Sequence, residues 1–134
     1  MLADLIATND ELLAALDVLE KLTLQPEPNE AGLASARLRL SRASGKRRRV
    51  VDAACNLLLE SASAEEARKL RSLREINGVQ LESSTSHIGT WGLRHVMADW
   101  AGYCRASTPM RQSLRDLIAA DRDTLYPMLE ARGL

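Results

Sequence analysis

Met110 to Leu134 reads MRQSLRDLIAADRDTLYPMLEARGL. Its apolar residues Met110, Leu114, Leu117, Ile118, Leu125, Met128 and Leu129 recur at the three-and-four spacing of a helix with one inward stripe. Asp121 sits on that stripe, where the pattern asks for a hydrophobe. A carboxylate there is costly unless it is paired or binds a metal. Pro127 is expected to kink or end this helix.

Working outward, Ser107, Thr108 and Pro109 read as the turn before this helix, a cap followed by proline at the first helical position. Before it, a long helical region runs from the Ser63 cap, with Glu65 and Glu66 in its first turn, to about Ala106. Ser83 to Ser86, Gly89 and Gly92 lower its propensity and predict a kink. A second helix spans Glu30 to about Ser61, with the stripe Leu33, Ala36, Leu40, Ala43, Arg47, Val50, Ala54 and Leu57. Arg47 is charged where this line wants a small or apolar residue. Pro26 and Pro28 make the preceding turn, and Asn29 is the expected cap. The first helix, Leu2 to Leu24, carries Leu5, Leu12, Leu16 and Leu19 on a line that includes Asn9. A later start, with Thr8 or Asn9 as N-cap, would remove that anomaly.

Four helical stretches with short turns predict an all-α fold, an antiparallel up-down four-helix bundle forming one domain over residues 1–134. Asn9 and Arg47 lie at similar distances from the first turn and so at similar heights. Counting back from the third turn places Asp121 near Trp91 to His95. The expected core polar cluster is therefore Asn9, Arg47, Asp121 and His95.

Composition narrows the function classes. Formal net charge is zero, which gives no global attraction to nucleic acid or membrane. No apolar run approaches the roughly 20 residues of a membrane span. Cys55 and Cys104 form no close-spaced metal or redox motif, and no signal peptide is evident, so a cytoplasmic protein with reduced thiols is expected. Charge is segregated: the charged residues before 35 are nearly all acidic, whereas Arg37, Arg39, Arg42, Lys46, Arg47, Arg48 and Arg49 are basic. Attraction between two adjacent helices accounts for both runs. Phosphate binding by the basic patch Arg37, Arg39, Arg42, Lys46, Arg48 and Arg49 is the sharper alternative, but it lacks interleaved aromatics, and nucleic acid is not the favoured partner.

Two segments, LIAADRDTLYPML at Leu117 to Leu129 and WGLRHVMADWAGYC at Trp91 to Cys104, resemble the hemerythrin-like cation-binding family, and the likeness extends over nearly the whole chain. In that family the last helix has a His, a carboxylate four residues on, and a Leu-Tyr-Pro or Leu-Phe-Pro ending. Asp121 to Pro127 is similar in kind and spacing. Bacterial members have a comparable Asp-Trp-Ala-Gly segment in the third helix. The resemblance implies a four-helix bundle with a di-iron site of several His and two carboxylates. Carried over residue by residue, most of that ligand set is missing. The last-helix His falls at Leu117 and its carboxylate at Asp121. The second-helix His and Glu fall at Arg47 and Val51, or one residue earlier at Lys46 and Val50, and the first-helix His falls at Asn9.

An arginine at the centre repels metal. The expectation is that Arg47 fills the vacated space and pairs with Asp121. His87 and His95, two turns apart, would share a face of a straight helix and are, with Asp121, the weak candidates for metal. Trp91, Trp100 and Tyr126 read as packing residues. No catalytic triad or Gly-rich phosphate loop is visible, so the chain is expected not to be an enzyme. The function expected is that of a metal-free, cofactor-free interaction or regulatory protein with an unknown protein partner or a second copy as homodimer. The alternative is an iron protein sensing or carrying oxygen or nitric oxide, with Glu75 or Glu82 joining His87, His95 and Asp121.

Overall fold

Proline and capping residues set the first boundaries. In the computed structural model, which describes residues 1–134, α1 (Leu2–Thr23) ends just before the Pro26/Pro28 turn, and α2 (Glu30–Leu59) begins at Asn29, whose side chain accepts from the Gly32 amide at 3.0 Å. Asn9 lies inside α1, so the later start at Thr8 or Asn9 is not taken. α3 (Ala64–Thr90) opens with a complete capping box between Ser63 and Glu66. Along α2 the buried stripe passes from Arg47 to Val51, Ala54 and Leu58 rather than to Val50 and Leu57. An uninterrupted 3.6-residue period carries it there.

The long third region does not reach Ala106. It breaks after Thr90, continues as the short α4 (Leu93–Ala98), and gives way at Asp99 to α5 (Trp100–Ala131). Asp99 accepts from the Gly102 amide at 3.0 Å and so caps α5. The expected turn at Ser107 to Pro109 is therefore wrong, and α5 runs through both Pro109 and Pro127. Each proline is exposed, and the carbonyl it deprives of a partner belongs to an exposed residue, Arg105 or Asp123. Water can satisfy those carbonyls, which lowers the cost of an interior proline.

The chain is all-helical, with five helices and no strand. α1 and α5 run in opposite directions: Leu2 N–H donates to Leu134 O, Asn9 meets Tyr126, Asp17 meets Arg115, and the Trp100 indole donates to Gln25 O. α2 and α3 are likewise opposed, through Asn56 with Arg74 and Arg47 with Asn77. No helix is long and apolar enough to cross a membrane.

The apolar core has two parts. One gathers Leu12, Leu16, Leu19, Leu40, Tyr103 and Ile118 with their neighbours. The other gathers Leu5, Val51, Leu58, Leu70, Leu125 and Leu129. Between them, at one depth along the helices, lies a layer of polar side chains.

Candidate functional site

Each long helix contributes one stripe residue to this layer. α1 supplies Asn9, α2 Arg47, α3 Asn77 and α5 Asp121. Arg47 is 1% exposed and Asp121 0%. The guanidinium grips the carboxylate at two points, Nε to Oδ2 at 2.8 Å and Nη2 to Oδ1 at 2.9 Å. Nη1 donates to Asn77 Oδ1 at 2.9 Å, and Asn77 Nδ2 donates in turn to Leu73 O at 2.8 Å. Asn9 Nδ2 donates to the Tyr126 hydroxyl at 2.9 Å, while its Oδ1 has no partner.

Burial pushes the Asp121 carboxyl above its usual range, and the Arg47 cation, its hydrogen bonds and Asn9 hold it back. Two parallel hydrogen bonds between ionised groups are the strong form of this contact. They also occupy both Asp121 oxygens.

Of the expected cluster, Asn9, Arg47 and Asp121 come together and His95 does not. The break at Gly92 carries His95 out with α4. It is exposed, stacked on Trp91 at 4.2 Å between ring centroids, with Nδ1 2.8 Å from Thr90 O. The same break separates it from His87, which stays on α3 half-buried against Tyr103 at 5.9 Å. Glu75 and Glu82 are exposed. The α3 member of the layer is Asn77, which the sequence reading missed. The signal was present: Leu70, Leu73, Asn77 and Gln80 keep helical spacing, the kind of polar interruption that marks Asn9.

The implied iron site does not fit these residues. Arg47 fills the middle with a cation that has no lone pair to donate. The positions corresponding to two further ligands, Leu117 and Val51, are buried hydrophobes. Nowhere do three His, Cys, Asp or Glu side chains gather in a way that could hold a metal ion.

The basic run divides in three directions around its helix. Arg47 points into the core. Arg39, Arg42, Lys46 and Arg49 are exposed, and Arg37 and Arg48 turn toward a cavity beside α3. The run is therefore not one patch. The expected pairing of α1 acids with α2 bases holds only for Glu11 with Lys46, an exposed contact at 3.4 Å; Asp17 and Glu20 both pair with Arg115 of α5. Both cysteines are free thiols, Cys55 buried and Cys104 half-buried.

Comparison with protein-family models, with curated proteins and with solved structures finds no match.

Proposed function

We propose that this chain is a hemerythrin-like, antiparallel four-helix bundle that takes no metal, and that it works through its surface as an interaction or regulatory protein rather than as an enzyme. The observation that carries the reading is the two-point contact of Arg47 with Asp121 at the depth where the resemblance puts iron. A dication would have to displace a buried guanidinium and leave it uncompensated, which is strongly unfavourable.

A surface role is supported by α3, where Ile76 is 49% and Val79 67% exposed and Ile88 lies open one side further on. Large exposed apolar side chains grouped on one element favour association, here with an unknown protein partner or a second copy of the chain. Unpaired thiols at Cys55 and Cys104 fit a reducing compartment such as the cytoplasm.

The test is metal analysis of protein produced in iron-rich medium, with sedimentation of the same sample. The expected result is iron far below one equivalent per chain and no absorption band of an oxo-bridged pair. A full di-iron complement would overturn the proposal.

A further inference from the structure

A cavity of about 250 Å³ lies between α2, α3 and α5, with Leu19 of α1 also lining it, on the side of the polar layer that faces the α3–α4 break. Its wall has a one-sided charge. Arg37 and Arg48 line it, and no Asp or Glu does. Neither arginine makes an ion pair, whereas Arg47, Arg115 and Arg132 all do.

Both cationic groups are held in place. Arg37 Nη2 donates to Trp91 O, and the guanidinium lies over the Tyr103 ring, 5.8 Å from its centroid. Arg48 Nη1 donates to Ser44 Oγ at 3.2 Å. Hydroxyls from Ser41 and Ser84 also reach the wall. His87 lines it too, with a buried Nε2 that has no hydrogen-bond partner. Burial first, and the Arg37 cation second, hold the His87 imidazole below its usual pKa, which favours the neutral ring beside the two arginines. The remaining wall is apolar, with Leu40, Tyr103 and Leu114 at its base.

Uncompensated cations beside an apolar base describe the complement of one ligand type. We propose that this cavity binds a small amphipathic organic anion, a carboxylate on a short apolar chain or ring, with Arg37 and Arg48 taking the charge and the Leu40, Tyr103 and Leu114 wall taking the apolar part. The volume equals that of about eight liquid waters, which sets the ligand at about ten non-hydrogen atoms. Two fixed donors and an apolar wall are the usual composition of a small-molecule site. This inference is independent of the metal-free reading, because the cavity and the polar layer share no side chain.

The test uses the full chain and octanoate at neutral pH, followed by calorimetry and by the imidazole signals of the two histidines. Saturable one-site binding is expected, with a large shift of the His87 signal and a smaller one at His95. Arg48→Gln should weaken binding at least tenfold, and so should Arg37→Gln; Arg39→Gln, on the exposed face, should leave it unchanged. Circular dichroism of each variant checks that it is folded, and Arg48→Gln keeps the test decisive if loss of the Arg37 contact to Trp91 unfolds the chain. Three results would overturn the proposal: no saturable octanoate binding, equal binding of octanol, or unchanged affinity in a folded Arg37→Gln/Arg48→Gln protein. Tight binding of inorganic phosphate without octanoate binding would overturn it as well, since it assigns the site to a bare anion.

Discussion

Arg47 and Asp121, 74 residues apart in the chain, face each other through two hydrogen bonds in a core that excludes water from both. Their value is largest when one of them is removed. Arg47→Met leaves a buried carboxylate without its cation and Asn77 without its donor, and should cost about 3–5 kcal/mol of stability. The double variant Arg47→Met/Asp121→Leu should recover most of that loss, since a well-packed apolar pair of similar volume is often neutral or stabilising. Urea unfolding of the four proteins of this cycle measures the coupling. A single-variant loss below about 1 kcal/mol would contradict the burial of the pair.

The same variant has a pH signature. Burial raises the Asp121 pKa in the folded state, so the folded protein binds this proton more tightly than the unfolded chain. A raised carboxyl lowers stability as pH rises from its unfolded value through its folded one. Without Arg47 the opposing influence is gone and the rise is larger. The stability gap between wild type and Arg47→Met should therefore shrink between neutral pH and about pH 5. A gap independent of pH would sink this prediction.

Glu66 should behave in the opposite sense. Hydrogen bonds from Arg132 and from the Ser63 amide hold its carboxyl down to about 2. A depressed carboxyl adds stability above its unfolded pKa and loses it as pH falls toward the folded one. The stability of the wild type should drop from about pH 4.5 downward, and Glu66→Gln should flatten that limb. Carbon NMR of the Glu66 carboxyl, followed with acid titration, reads the same event directly.

Gly102 faces its own cap. A Cβ at this position would run into the Asp99 carboxylate that closes the start of α5. Gly102→Ala should therefore expel the cap, at a cost of about 1 kcal/mol or more, similar to the loss in Asp99→Ala. The two losses should not add, because both remove one interaction. Thermal unfolding of the single and double variants checks this.

Tyr126→Phe removes the hydroxyl that accepts from Asn9 Nδ2, in a buried amide whose Oδ1 already has no partner. A loss of about 1–3 kcal/mol is expected in urea unfolding. An unchanged midpoint would mean that water replaces the hydroxyl.

Much of the helical layout was legible because strong local signals mark it. Pro26, Pro28 and Asn29 end one helix and start the next, and the Ser63–Glu66 box starts a third. The pairing of Arg47 with Asp121 was legible because both charges interrupt apolar stripes. The third turn was misplaced because Ser107, Thr108 and Pro109 imitate a helix start, while the real break rests on Gly92 and the Asp99 cap, which carry weaker local preferences. That error displaced every height counted from it, and so put His95 where Asn77 belongs. α3 was hard to read for a different reason: it buries only Leu70, Leu73 and Gln80, so its inward face has almost no hydrophobic contrast.

Leucine stripes alone can slide past one another by a turn and still meet leucines. The guanidinium cannot. Moved one turn along α5, Arg47 would face Leu117 or Leu125, and the carboxylate it left would face apolar side chains of α2. The polar layer thus works as a register pin: it penalises every misaligned packing of these helices far more than it stabilises the correct one.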